Sequence, residues 1–336
     1  MKIFLDVMYD DTKNARKIKS CDYNNKGKYP IIDQSSKNVI GYTDEVDGLY
    51  KDVPVIIFGD HTRRFKLVEE PFFIGADGTK VLKLCSSVYD YKFIYYYLLH
   101  KKIPDTGYNR HFKWVKELEF PEIPRSIQSD IVQKFEVLND LISRKNKLLE
   151  LFDILIKSRF DELIIGDKCD RLLFNDLFFC STGKLDSNAA VKGGRYPFFT
   201  CAKEIFYIND YAFDQEALLL AGNNAAGKYD VKYYNGKFNA YQRTYVLSLR
   251  KKGIYSIFKK QLEDKLEYLQ IQSKGSTTRY LTMGILKKLT FYVPDMEIQL
   301  KLDKEIQQIN KLKSDVQKSI DETQLLMDSL MQEYFG

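Results

Sequence analysis

Gly222, Gly227 and Lys228 stand in the G-x-x-x-x-G-K spacing of a phosphate-binding loop, inside LLLAGNNAAGKYDVKYYNG at Leu218–Gly236. Such a loop aims backbone amides at phosphate from the start of a helix, and a Ser or Thr after the lysine holds Mg²⁺. Here Tyr229 follows Lys228, and the next residues are aromatic, β-branched and turn-forming, YDVKYYNGKFNAYQRTYVLSL. No acidic strand end of the Walker B kind accompanies them. ATP hydrolysis by this chain is therefore not expected. The glycines read instead as a tight connection between strands, with Asn235-Gly236 as a hairpin turn between strand-like runs.

Other catalytic constellations are equally thin. Three histidines (His61, His100, His111) and five scattered cysteines (Cys21, Cys85, Cys169, Cys180, Cys201), never in a C-x-x-C pair, offer no zinc site. The thiols are expected to be reduced, as in a cytoplasm. No N/D-P-P-Y/F or F-x-G-x-G pair, nuclease-like carboxylate–lysine cluster or Ser–His–Asp order stands out, so a non-catalytic chain without cofactor or metal of its own is expected. At 336 residues, 44% hydrophobic and 29% charged, it has material for two soluble domains. No run approaches the ~18–20 apolar residues of a membrane span, and MKIFLDVMYDD lacks a signal-peptide core. A cytoplasmic protein with no membrane partner is the expectation.

Charge is unevenly spread. Residues 161–293 carry 20 Lys and Arg against 14 Asp and Glu, while 294–336 carry 5 against 9. This suggests an anionic partner for the globular parts and a different one for the tail.

The elements that must position any site are written twice. FLDV at Phe4–Val7 echoes in FNDL at Phe174–Leu177; GKYPIID at Gly27–Asp33 in GRYPFFT at Gly194–Thr200; PVIIFGDH at Pro54–His61 in EALLLAGN at Glu216–Asn223. FFIGADGTKVLKL parallels GKFNAYQRTYVLSL, GYNRHFKWVKELEFPEIP parallels GSTTRYLTMGILKKLTFYVP, and SIQSDIVQKF parallels EIQLKLDKEI. Six echoes in one order make two tandem repeats. Each is expected to be a mixed α+β (α/β) globular part followed by a helix. Tyrosine-rich helices, VYDYKFIYYYLLHKK and YSIFKKQLEDKLEYLQIQ, should pack on the sheets, and Tyr241 and Tyr280 should be core.

After Pro124, apolar residues recur at 3–4 spacing: Ile131, Phe135, Leu138, Ile142, Leu149, Phe152 and Ile156, with Lys145 interrupting. After Pro294 the same rule picks Leu302, Ile306, Ile309, Val316, Ile320, Met327, Leu330 and Tyr334, with Lys313 and Thr323 interrupting. Sustained heptads want a partner helix. Two helices of ~35 residues, and so ~50 Å, most simply pair with each other as an antiparallel coiled coil; each joining a foreign helix is the alternative. The expected domains are 1–123, a helix over 124–160, 161–293, and a helix over 294–336.

The order unit, helix, unit, helix, with IIDQ, FGDHTRRFK, GADGTKVL, AGN, FNAYQRTYVL, GSTTRYL and ETQLLMDSLMQEYFG, resembles the DNA specificity subunit of Type I restriction–modification enzymes across essentially the whole chain. The resemblance implies two target-recognition domains, each reading half of a split site in double-stranded DNA. It implies spacer helices that set the separation and dock two methyltransferase subunits. S-adenosylmethionine, and ATP with Mg for restriction subunits that can join, would belong to those partners. The opening MKIFLDVMYDDTK departs from the family's usual L-G-D…G-K start, with Asp6 and Lys13 standing in for Asp176 and Lys184.

Within that reading, GDHTRRFK follows an apolar strand, so His61, Arg63, Arg64 and Lys66 belong to a strand-end loop. Arg63 or Arg64 would meet a base edge and Lys66 phosphate. A solvated loop with ion pairs to Asp60, Glu69 or Glu70 fits the same residues equally well. Gln34 and Lys80 are further candidates. In the second half Asn223, Asn224 and Lys228 occupy the matching loop, joined by Gln242, Arg243, Thr277, Thr278 and Arg279, with Asn able to pair with adenine. The apolar excess of DETQLLMDSLMQEYF points to an interface. The competing reading is a coiled-coil protein-interaction adaptor without DNA specificity.

Overall fold

The computed structural model describes residues 1–107, 109–165, 169–225 and 227–336. Ala226, inside the Gly222–Lys228 motif, and Tyr108, inside one of the echoes, lie outside them. The chain divides into two compact units, Met1–Lys147 with Gln317–Gly336, and Leu148–Val316.

In the first unit the two larger sheets are built from β1 (Met8–Asp10), β2 (Tyr29–Ile32), β3 (Gly41–Thr43), β4 (Val55–Gly59), β5 (Phe65–Val68), β6 (Phe73–Ile74) and β7 (Thr79–Leu84). One sheet has the order β1-β7-β4-β5, all antiparallel. A second has the order β3-β2-β6, with β2 and β6 parallel. The helix Tyr91–His100 starts where the Asp90 carboxylate accepts the amides of Lys92 and Phe93. It buries Phe93, Ile94, Tyr96, Tyr97 and Leu98, so its tyrosines pack rather than project.

The second unit has β8 (Phe178–Thr182), β9 (Tyr196–Phe199), β10 (Phe206–Ile208), β11 (Phe213–Ala221), β12 (Val231–Ala240) and β13 (Thr244–Leu249) in the order β8-β13-β11-β12-β9-β10. β9 runs parallel to β12. Long strand β12 does here what β5 and β6 do separately in the first unit. Glu69, Glu70 and Pro71 interrupt the earlier pair, because proline cannot donate to a ladder. The expected hairpin at Asn235-Gly236 is overturned: both residues lie inside β12, opposite Glu216 and Gln215. Gly236 passes through at φ 128°, and the eight-residue ladder from Phe213 to Leu220 outweighs the local turn preference. The link between β11 and β12 falls between Ala221 and Val231, longer than the tight connection expected there and holding a short strand of its own, Asn223–Asn224.

Two long helices span Arg125–Ile165 and Met296–Phe335. The first runs beyond the expected residue 160 because Phe160 and Ile164 prolong its apolar face into a cluster with Ile156, Leu302, Ile306 and Ile309. Within the first unit Ile131 and Phe135 pack with Met327, Met331 and Phe335. The partners run in opposite directions in each unit. In the first, Phe135 stacks on Phe335 and Lys145 reaches Thr323; in the second, Asp153 meets Lys313 and Arg159 meets Glu305. Every residue expected on the stripes is buried or half-buried, Leu138, Ile142, Leu149, Phe152, Val316, Ile320 and Leu330 included. The apolar excess at the C-terminal end is largely spent in the first unit's core. Leu325 and Leu326 remain exposed.

Each long helix also carries a buried glutamine in its first turns. Gln128 accepts the amide of Asp90 at 2.9 Å and donates to the carbonyls of Val88 and Ile123 at 3.0 and 2.7 Å. Gln299 accepts the amide of Ile254 at 2.9 Å and donates to the carbonyl of Pro294 at 2.8 Å. In each unit one side-chain amide thereby fastens the first turns of the long helix to the start of a shorter one, Tyr91–His100 in the first and Tyr255–Glu263 in the second.

Candidate nucleic-acid interface

The strand-end loop of the first unit is the turn between β4 and β5. Gly59 N–H donates to Arg64 O and Arg63 N–H to Gly59 O, at 2.8 and 2.7 Å. Closing so tightly puts Arg63 at φ 59°, the left-handed region that a side chain normally avoids. The turn is braced from below. Gln34 accepts the His61 amide at 3.1 Å and donates to Asp77 O at 2.8 Å, while Thr62 Oγ1 donates to Gln34 O at 2.5 Å.

The basic candidates part ways here. Lys66, expected on phosphate, is turned inward: its Nζ donates to the carbonyls of Asp33 and Lys37 at 2.6 and 2.5 Å. Burial pulls its pKa down, against the attraction of Asp33. Lys80 is paired with Asp10 at 2.8 Å and lies over the Phe112 ring. Arg63 is ion-paired too, but with none of the three expected acids. Its partner is Asp105, at 2.8 Å. Asp60 is unavailable because it is 2% exposed and its carboxylate accepts the Phe112 amide at 2.7 Å. Arg64 is exposed, with no ion-pair partner among the described residues. It lines a cleft of about 270 Å³ with Ser35, Ser36, Asn38 and Lys101.

In the second unit the equivalent turn leaves β11 at Gly222. A Cβ there would lie 2.3 Å from Arg243 O, which accepts the Gly222 amide at 2.8 Å, so only glycine fits. Gly227 takes φ 67°, Asn224 Oδ1 accepts the Lys228 amide at 3.3 Å, and β12 follows in place of the helix a phosphate loop requires. Asn223 and Asn224 pair as a short ladder with Tyr280 and Arg279. That pairing sets Arg279, with Thr277 and Thr278 just before it in sequence, beside Asn223 and Asn224, and the bond from the Gly222 amide to Arg243 O brings Arg243 and its neighbour Gln242 to the same turn. Lys228, Gln242, Arg243, Thr277, Thr278 and Arg279 are exposed. Arg279 also donates to Gln270 O at 3.2 Å. Tyr280, expected in the core, is 38% exposed because its strand forms the outer edge of this small ladder.

Sequence reading missed Asp105 and His111, which fasten the first unit's turn. His111 is fully buried, and its ring and backbone both reach Asp60 O at 2.9 Å. The echo of GYNRHF in GSTTRYL carried that signal. Among the described residues no three His, Cys, Asp or Glu side chains gather as metal ligands, and no helix is long and apolar enough to cross a membrane.

A family model described as the Type I restriction modification DNA specificity domain matches residues 174–323. The Type I restriction enzyme EcoDI specificity subunit of Escherichia coli is 39% identical over 146 residues, 41% of this chain and 31% of that one. The EcoR124I/EcoR124II specificity subunit of Escherichia coli is 28% identical over 131 residues, 34% of this chain and 32% of that one. The matched stretch thus spans about a third of either relative. The crystal structure of a Type-I restriction-modification S subunit from M. genitalium superposes with TM-score 0.62 at 16% identity, covering 98% of this chain and 94% of that one, a likeness of fold. Residues 174–323 are thus similar to the DNA specificity domain of Type I restriction–modification systems.

Proposed function

We propose that this chain is the sequence-reading subunit of a Type I restriction–modification complex and supplies recognition rather than chemistry. In this reading residues 1–123 and 161–293 are tandem target-recognition domains, each taking one half of a bipartite site in duplex DNA. Residues 124–160 and 294–336 are spacer helices, paired as an antiparallel coiled coil, that set the interval and dock two methyltransferase subunits. S-adenosylmethionine belongs to those subunits, and ATP with Mg to restriction subunits where they join. The cytoplasm is the compartment this role requires.

The observation that carries the reading is the gathering of exposed Lys228, Gln242, Arg243, Thr277, Thr278 and Arg279 around the Gly222–Asp230 turn, matched by exposed Arg64 on the β4–β5 turn. Arginine forks and asparagine amides are the side chains that discriminate guanine and adenine edges, and hydroxyls beside lysine suit phosphate. Gln34, His61, Arg63, Lys66 and Lys80 serve this surface from beneath it.

Mapping methylated adenines genome-wide, with and without this chain, tests the proposal. A split motif that appears only with the chain supports it. Unchanged methylation, together with DNA affinity insensitive to salt, leaves the adaptor reading instead, because phosphate contacts release counterions and must weaken steeply as salt rises.

A further inference from the structure

Four loops of the first unit are locked into one platform. Gln34 joins the 33–38 loop to His61 and Asp77. Asp60 N–H donates to Gly78 O at 2.7 Å. The loop that follows the Tyr91–His100 helix is held at three points: Asp105 to Arg63 at 2.8 Å, His111 to Asp60 O, and the Phe112 amide to the Asp60 carboxylate. Asp105 is itself oriented by the Gly107 amide, which donates to it at 3.0 Å. Both that bond and Arg63 hold its carboxyl below the usual range.

The second unit makes the same junction with different side chains. Ladder registers place Gly59 opposite Thr79 and Ala221 opposite Thr244, so Asp60 and Gly222 are corresponding residues. His111 N–H donates to Asp60 O at 2.9 Å, and Leu281 N–H donates to Gly222 O at 2.8 Å. The residues just before these donors, Asn109–Arg110 and Arg279–Tyr280, therefore hold corresponding places beside their turns. Gly107 and Gly275, at φ 77° and 104°, open both loops.

Arg110 is exposed and has no ion-pair partner among the described residues. Asp77, the acid whose pKa its charge helps to lower, is already paired with Lys17. Arg63, by contrast, is spent on Asp105 in a backbone conformation that persists only when its surroundings enforce it. From this juxtaposition we infer that Arg110 is a DNA-contacting arginine of the first unit beside Arg64, and that Asp105 is the positioning residue which, through Arg63, holds its loop against the reading turn. This rests on the proposed DNA-reading function.

The test uses the full chain reconstituted with its methyltransferase subunits and duplexes carrying the mapped split motif, each half-site also presented scrambled. Arg110→Ala is expected to weaken binding about five- to tenfold. A phosphate contact lowers the salt slope by about 1 with preference unchanged, and a base contact relaxes preference at one position of the first half-site. Asp105→Ala should relax discrimination at the first half-site alone, with Asp105→Glu restoring most of it and the thermal midpoint unmoved. Loss at both half-sites, or loss tracking a fall in melting temperature, overturns the positioning role. If Arg110→Ala changes nothing while Arg243→Ala weakens the second half-site, the inference fails and DNA reading stands. If neither matters, and the wild-type complex shows no split-motif preference, DNA reading itself fails.

Discussion

The ammonium of Lys145 sits between Ser319 and Thr323, 2.9 Å from the Ser319 carbonyl, 2.7 Å from Ser319 Oγ and 2.8 Å from Thr323 Oγ1. Lys145 and Thr323 are residues that break the apolar stripes of the two long helices, and each break faces the other. Three donors meet three acceptors. A polar pair at a single layer of an apolar seam is the known way to fix helix register, because a slip in either direction buries both groups unpaired.

That pairing predicts energetic coupling. In a double-mutant cycle over Lys145→Leu, Thr323→Val and the double variant, denaturant unfolding should return an interaction energy of ~0.5–3 kcal/mol. Strict additivity would show that the polar layer sets nothing.

The buried glutamines give a second prediction. Gln128→Leu strands the Asp90 amide and two carbonyls, and should cost about 3 kcal/mol or more, since each of the three orphans costs ~1–3 kcal/mol. Trp114, the single tryptophan, lies in the first unit and reports its unfolding by fluorescence. A Gln128→Leu protein whose tryptophan transition matches wild type would remove the amide fastening from consideration.

How much of this was legible in the sequence follows from the range of each interaction. The stripes from Ile131 to Ile156 and from Leu302 to Leu330 were readable because helical packing repeats every three or four residues. Repetition likewise exposed the matching turns. Lys66 was misdirected because its acceptors, the Asp33 and Lys37 carbonyls, are distant in sequence. Arg63 found Asp105 and not the nearby acids for the same reason. Asn235-Gly236 has the local chemistry of a turn, and a long ladder with β11 overrode it. Side-chain direction at these two turns is a tertiary property, and only residue type was visible beforehand.

Phe335, next to the C-terminal residue, is 4% exposed and meets Phe93, Tyr97 and Phe135 with ring centroids 5.5, 5.6 and 6.0 Å away. Lys101 Nζ donates to its carbonyl at 2.8 Å. Phe335→Ala is expected to cost about 3–5 kcal/mol, as large-to-small changes in a packed core do. The loss should appear in the Trp114 transition. A cost near zero would mean that the helix end is not a core element of the first unit.

The last prediction concerns acid. Arg159 donates to Glu305 through Nε at 2.9 Å and Nη2 at 3.0 Å, and also pairs with Glu162. Those bonds hold the Glu305 carboxyl below its ordinary value of 4.5, against the opposing effect of burial. A carboxylate whose folded-state pKa is depressed contributes stability that is fully present above its unfolded pKa. That contribution fades as pH falls through the folded value. The difference in thermal midpoint between wild type and Arg159→Met should therefore be constant from neutral pH down to about 5, then shrink as pH is lowered through and below the unfolded value near 4.5. Salt should reduce it in the upper range, because both side chains are about a quarter exposed and are screened. A gap that instead widens below pH 4 would show that Glu305 is not the group held ionised by Arg159.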